Sequence, residues 1–395
     1  MGRKRSIAAW FDSRIGIANT MLRPPPEYSL NPFYWLGGLM VMAFLIQGLT
    51  GALMLLYYVP TTTDAYPSTM YMLNSVPLGL IIQSIHHYGA YTMILLAFAH
   101  LFRNFFTSSH KPPRELMWVI GMLMGLVVFG FGLTGYLLPW TVVSKSATDV
   151  AIGMLGFMPA QLGAIAQFLL AGTGGNSGEL RRFFDLHLLI LPAALISLLA
   201  LKLYMFEVHG PAEPPTRARG RTLVVPWFPE VFLYLIMIGG AFFSIVLAVT
   251  VMFPFSLPPE FTPAAAASYV SQPDWYFLWL YQILKFSIFE GSGIQYALGA
   301  VTVLLLILVL LPFLDRGKER EPSSRPVFIT LGAILMAELI VLIIWGYLTP
   351  GQVIPDIQAI TITGGVALLV TLAFFVGYKS RSRSQTRTLA GGQES

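Results

Sequence analysis

The chain has 395 residues, of which 55% are hydrophobic and 11% charged. Soluble proteins carry about 25% charged residues, so this composition excludes a soluble globular fold and indicates an all-α integral membrane protein. The net charge of +5 reports orientation in the membrane rather than nucleic-acid binding, as the placement of the basic residues shows below.

In residues 1–30, Ile7, Phe11, Ile15, Ala18 and Leu22 recur at three- and four-residue steps. This spacing predicts an amphipathic helix lying on the membrane, against the alternative of an ordinary soluble cap, and Pro24–Pro26 end it. The first residues are basic but only a short, interrupted apolar patch follows, so no cleavable signal peptide is expected. Eight spans then follow at roughly 33–59, 77–106, 116–139, 183–206, 229–254, 294–314, 327–348 and 358–378. They divide into a four-helix bundle (31–215), a C-terminal four-helix half (216–380) and a polar tail (381–395). With both termini cytoplasmic, all of the 24 Lys and Arg except Lys145, Arg181, Arg182 and Lys285 fall on the cytoplasmic side. That is the positive-inside pattern, and it predicts a multi-pass protein of the cell inner (plasma) membrane.

Two outer loops are expected to be partly buried. Thr141–Gly178 holds two helix-like pieces, Ala147–Met158 and Ala160–Ala171, and Phe255–Ile288 holds Pro273-Asp274-Trp275-Tyr276. Irregular backbone at a membrane edge is tolerated where it lines a cavity.

The second span carries His86 and His100, fourteen residues apart. Fourteen helical steps return to within roughly 40° of the same face and rise ~21 Å. Two imidazoles so placed suit two metal centres stacked across the membrane better than one. The same interval separates Gly37 from Gly51 and Gly121 from Gly135. A glycine lets something bulky and flat approach the backbone, so the two pairs suggest two planar cofactors clasped between helices. Packing alone also places small residues in membrane helices. The chain has no cysteine, which rules out iron–sulfur and thioether haem attachment by its own residues and leaves histidine as the natural iron ligand. His187 begins the fourth span on the outer side and can meet His86 across one flat group. A partner for His100 belongs fourteen or fifteen residues further on, where Leu201 and Lys202 stand; His209 is ~33 Å along the axis from His187, which is too far. His87 points about 100° away from His86, off the stacking face. His110 lies in a basic loop and is expected to be solvated, and His209, Glu207 and Glu230 lie toward the cytoplasmic side.

These residues bring the chain into resemblance with a known family, cytochrome b of the quinol-oxidising cytochrome bc complexes. The resemblance rests on Gln47-Gly48-Leu49-Thr50-Gly51, Ser84-Ile85-His86 with His100-Leu101-Phe102-Arg103, and Pro113-Arg114-Glu115-Leu116. Gly135-Tyr136-Leu137-Leu138-Pro139-Trp140, Arg182-Phe183-Phe184 before His187, and the Pro273–Tyr276 loop add to it. It is closest to the chloroplast-like form, in which a haem chain and a smaller second chain are separate. Here Leu311-Pro312-Phe313-Leu314 and Arg325-Pro326 resemble that second chain, fused to the first.

The resemblance implies two non-covalent b haems within the first four spans. His86 and His187 would hold the outer, lower-potential one, His100 and Lys202 the inner one, and Arg103 would pair a propionate. It also implies a quinol:cytochrome c-type oxidoreductase, in which Tyr276 holds the quinol head group and Asp274 takes a proton. One electron would leave to a separate Rieske iron–sulfur protein and on to a c-type cytochrome or other acceptor. The other would cross through the haems to quinone near the cytoplasmic face. The complex would be a homodimer within membrane lipid. Four positions depart from the family. Lys202 stands where histidine is usual; as a ligand it would have to be neutral, a form that burial favours. The alternatives are that it snorkels to the cytoplasmic interface, leaving the inner haem five-coordinate or missing, or that it has another role. Gln83 replaces an arginine, Trp35 stands where the chloroplast-like form attaches a further haem through cysteine, and Asp274 replaces glutamate. A competing class is a di-haem membrane anchor joining a dehydrogenase to the quinone pool, which has no need of the Pro273–Tyr276 loop. A haem-free transporter has no need of the fourteen-residue intervals.

Overall fold

A computed structural model describes residues 24–157, 164, 177–215 and 223–391. The amphipathic helix expected at residues 7–22 and the piece Ala160–Ala171 lie outside the described residues. The described elements are helical: α1 (Leu36–Met54), α2 (Ala65–Ser75), α3 (Gly79–Phe106), α4 (Glu115–Leu137), α5 (Val142–Leu155), α6 (Ser177–Asp185) and α7 (Leu191–His209). There follow α8 (Phe232–Met252), α9 (Pro263–Ser268), α10 (Leu278–Leu284), α11 (Ile294–Leu314), α12 (Pro326–Leu348) and α13 (Asp356–Gly391). No strand occurs among the described residues, only isolated bridges.

Among the described residues, seven helical stretches are long and apolar enough to cross a membrane. The eighth expected span, α3, has 28 residues and at ~1.5 Å per residue is long enough. It falls short on composition, because Gln83, Ser84, His86, His87, His100, Arg103 and Asn104 lie along it. A helix this polar survives in a bilayer only with its polar groups turned into the protein, which makes α3 the centre of the bundle. It packs along α1 on one side and α8 on another, while α4 packs along α7. Ala43, Met93, Ile94, Val128, Leu195, Phe242 and Val246 fill the space between them, with Tyr276 inserted from the outer loop. Leucines and isoleucines on the opposite faces, such as Leu45, Ile196, Ile245 and Leu306, are exposed and face where lipid tails lie.

The fourth span is made of two pieces. α6 and α7 are joined by a π-helical turn, Leu186–Ile190, just before Pro192. Proline has no N–H and crowds the carbonyl four residues back, and one widened turn relieves both conflicts without breaking the span. His187 sits in this widened turn. The first outer piece is α5, which starts earlier than expected because Thr141 and Ser144 cap it reciprocally. The polar segment expected from residue 381 continues the last span as helix: α13 runs on to Gly391, since no glycine or proline interrupts residues 378–390.

His110 is not solvated. It is fully buried, and its Nε2 bonds Asp315 Oδ2 at 3.0 Å. Lys111 Nζ donates to Asp315 Oδ1 at 2.9 Å, and Arg325 donates to Asp315 and to Ser108. All four side chains of this cluster, His110, Lys111, Asp315 and Arg325, are buried. A loop basic in composition thus closes over an acid 205 residues away, clamping the α3–α4 loop to the α11–α12 loop. Burial pushes the Asp315 carboxyl up, but hydrogen bonds from Lys111 and His110 and the Arg325 charge outweigh it and hold it below the ordinary carboxylate range. A carboxyl of this kind adds stability above about pH 4 and loses it as pH falls through its folded-state value. Breaking a buried ion pair costs about 3–5 kcal/mol. Asp315→Asn is therefore expected to lower the thermal midpoint in detergent at pH 7 and to remove the drop in midpoint that the wild type shows below about pH 4. An unchanged midpoint would show that the cluster is not a clamp.

Candidate functional site

Each of the four glycines at fourteen-residue spacing lies against one nitrogen-bearing side chain. A Cβ on Gly51 would stand 3.3 Å from His86 Cε1, and one on Gly37 would stand 3.4 Å from His100 Cε1. On the opposite pair, a Cβ on Gly135 would stand 2.6 Å from His187 Cε1, and one on Gly121 would stand 2.8 Å from Lys202 Nζ. The glycines of α1 therefore admit the groups of α3, and those of α4 admit the groups of the fourth span. The bundle holds two levels, outer (His86, His187) and inner (His100, Lys202).

At the outer level the two histidines have matching environments. Thr50 donates its hydroxyl proton to Ile46 O at 2.7 Å, and Thr134 donates to Gly130 O at 2.8 Å. Each threonine oxygen is then free to accept, from His86 Nδ1 at 2.9 Å and from His187 Nδ1 at 3.0 Å. This bond network assigns the proton to Nδ1 and leaves the Nε2 lone pair of both rings for a ligand. The ring centroids are 6.3 Å apart. His86 and His187 are the residues that would hold a metal-bearing group at this level. Thr50 and Thr134 were not singled out from the sequence, although a signal was present: each immediately precedes its glycine, Thr50-Gly51 and Thr134-Gly135.

The inner level lacks that pair. Leu36 and Ile120 stand before Gly37 and Gly121, and His100 Nδ1 is buried with no hydrogen-bond partner. Lys202 is within electrostatic reach of His100, and its Nζ has no hydrogen bond or ion pair among the described residues. Its amine lies against Gly121 of α4. Arg103, near the C-terminal end of α3, stacks 4.1 Å over the Tyr34 ring and bonds Asn104 Oδ1 at 2.8 Å. Its Nη2 is buried and unpartnered, free for an anionic group. Gln83 is buried with Oε1 unpartnered. Trp35 donates to Ser29 O at 2.8 Å and packs beside Tyr234.

Asp274 enters from the outer loop between α9 and α10. Its Oδ1 accepts from Tyr91 of α3 at 2.6 Å and its Oδ2 from Tyr276 at 3.3 Å. Tyr276, 3% exposed, also reaches Gly132 O at 3.2 Å. Burial pushes the Asp274 carboxyl above the ordinary carboxylate range, outweighing the two tyrosine bonds. Tyr91 was another residue that the sequence did not reveal. His87 is not at either level: its ring lies 4.3 Å from that of Tyr91 and 4.8 Å from that of Phe255. Glu207 and Glu230 are exposed, and the His209 carbonyl accepts from Arg114 at 3.0 Å.

Comparison with known proteins gives this arrangement a family. Residues 22–210 match the family described as Cytochrome b/b6/petB, and residues 263–369 match Cytochrome b(C-terminal)/b6/petD. A cytochrome bc complex cytochrome b subunit of Chlorobaculum thiosulfatiphilum is 35% identical over 347 residues, 86% of this chain and 80% of that one. The chain belongs to the cytochrome b family. Cytochrome b6 of Prochlorococcus marinus (strain AS9601) is 35% identical over 219 residues, all of its own length but 54% of this chain. Both halves of the family are thus present in one polypeptide. A solved structure of a hyperthermophilic respiratory Complex III contains a chain that superimposes with a TM-score of 0.75 at 27% identity, over 94% of this chain and 98% of that one. Membership of the cytochrome b family implies b-type haem. The residues fit it: bare imidazole nitrogens, an orphaned buried His100 Nδ1 and a glycine behind each candidate ligand are what such a group requires.

Alanine at the four glycines should grade with these contacts. Gly135→Ala meets the His187 ring and is expected to lose most of the haem at its level, whereas Gly121→Ala meets only the end of the flexible Lys202 side chain and should lose less. Gly51→Ala and Gly37→Ala meet only tight contact and should retain most of it. Haem per chain and the visible spectrum check this, and equal loss at all four positions would contradict it.

Proposed function

We propose that the chain is the cytochrome b subunit of a proton-translocating bc-type complex that oxidises membrane quinol at its outer side. It would hold two b haems, the outer through His86 and His187 and the inner through His100 and Lys202, with Arg103 pairing a propionate. When bound, these groups supply one-electron acceptors at two depths in the membrane. The remaining steps belong to the chain's own side chains. Asp274 accepts a quinol hydroxyl proton, a task suited to a carboxyl that burial has made more basic. Tyr276 closes the pocket beside it. The Pro273–Tyr276 loop, packed over α3 and α4, keeps bulk water from the head group. The first electron would go to a Rieske iron–sulfur partner and from there to a c-type cytochrome or other acceptor, and quinone would be reduced at a second site near the cytoplasmic face. The complex would be a dimer in the inner membrane, with both termini cytoplasmic.

The observation that carries this reading is the hydrogen bond from Tyr91 to Asp274. Tyr91 lies five residues after His86 on the same helix, ~7.5 Å along its axis, so the candidate proton acceptor and the outer ligand pair share one rigid element. A di-haem anchor has no use for a buried acid at this place.

Activity is expected to need ionised Asp274, so quinol oxidation by the purified complex should rise with pH through the raised pKa of this carboxyl. Asp274→Asn should lower turnover by about 10²-fold and abolish that rising limb, with haem content unchanged. Full activity in Asp274→Asn would overturn the assignment of the quinol site.

A further inference from the structure

The two tyrosines on Asp274 are not equivalent. The Tyr91 bond, at 2.6 Å, falls in the range of a hydroxyl held by an ionised oxygen, about 2.5–2.7 Å. The Tyr276 bond to Oδ2, at 3.3 Å, is well past the usual hydroxyl–oxygen distance of about 2.7–2.8 Å. Tyr276 also has a second acceptor in Gly132 O at 3.2 Å. It has one proton to give, so its bond to Asp274 can be exchanged without leaving the hydroxyl unpaired. Tyr91 has no second acceptor among the described residues. Its ring is fixed edge-on against Trp275 and Tyr276 and lies on His87.

We propose that Tyr91 is the positioning residue for Asp274: it holds Oδ1 and aims Oδ2 at the substrate, making Oδ2 the oxygen that takes the quinol proton. This deepens the proposed function and rests on it. The incoming hydroxyl replaces Tyr276 at Oδ2, and Tyr276 turns to Gly132 O. The quinol O–H bond breaks as an O–H bond forms at Oδ2, and the electrons leave to the iron–sulfur partner and the haem chain. This account also gives Gly132 a reason: a Cβ there would stand 2.9 Å from Tyr276 Cε2, blocking the place to which Tyr276 withdraws. The titratable groups that act on Asp274 are tyrosines from three directions: Tyr91 on α3, Tyr136 on α4, and Tyr269 and Tyr276 on its own loop. The other titratable side chain packed against this set is His87 of α3, whose ring lies 4.3 Å from that of Tyr91.

The test is the pH profile of quinol oxidation by the assembled complex. Tyr91→Phe keeps the ring and removes the donor. Loss of a hydrogen bond to a charged acceptor should move the midpoint of the rising limb up by about one to two pH units. Haem content and the potential of the outer haem should stay as in the wild type. Tyr276→Phe, which removes the longer bond, should move the midpoint by less. 3-Fluorotyrosine placed at position 91, nearly the same size but a stronger donor, should move it down, and this variant serves if Tyr91→Phe does not assemble. A midpoint unmoved by the change at position 91, or moved more by Tyr276→Phe, would overturn the role of Tyr91 while leaving the quinol site standing. A wild-type profile in Asp274→Asn would remove both.

Discussion

Four nitrogen-bearing side chains placed inside an apolar bundle each need room that ordinary helix packing does not leave. A polar or ionisable group in the middle of a bilayer is expensive unless a partner receives it, and a side chain lying close against a neighbouring helix leaves little space for a Cβ. The contacts of Gly37, Gly51, Gly121 and Gly135 with His100, His86, Lys202 and His187 answer that second demand four times over. The rest of the fold follows from it. α1 must lie close to α3 and α4 close to α7, the polar face of α3 is enclosed, and the apolar faces of the other spans are left to lipid. The π-turn before Pro192 serves the same end, because it sets His187 where its ring meets both Thr134 and Gly135.

The two levels of the bundle differ in how their ligands are oriented. The outer imidazoles are locked by Thr50 and Thr134 into one tautomer, which fixes the ring and raises its basicity toward a metal. The inner level has leucine and isoleucine at the matching positions, and it has an amine instead of a second imidazole. No threonine holds His100, whose Nδ1 is buried without a partner. His86 of the outer level lies five residues before Tyr91 on α3, and Tyr91 bonds Asp274. On the other side of the membrane, the Asp315 cluster holds the two halves of the chain together, which in the cytochrome b6 relative are not both present.

Much of this was legible in the sequence, for identifiable reasons. Hydropathy and charge located the spans, and the fourteen-residue intervals of histidine and glycine marked the two levels, because helical periodicity is a local property. Contacts made across long separations were not legible. His110 meets Asp315 across 205 residues and Tyr91 meets Asp274 across 183, so composition made one look solvated and gave no sign of the other. The direction of Lys202 was undetermined for a related reason: a long side chain can bury its amine or extend it to the interface, and its contact with Gly121 is made across helices.

A second haem site in this bundle would require the Lys202 amine to complete it. A pyridine haemochrome count on the purified chain, with low-temperature EPR of the oxidised wild type and of Lys202→Ala, addresses it directly. Two b haems per chain, with one low-spin signal lost in the variant and the other untouched, is the result expected of four ligands at two levels. One haem in the wild type, or two whose signals do not change in Lys202→Ala, would mean that the inner level is not built as described.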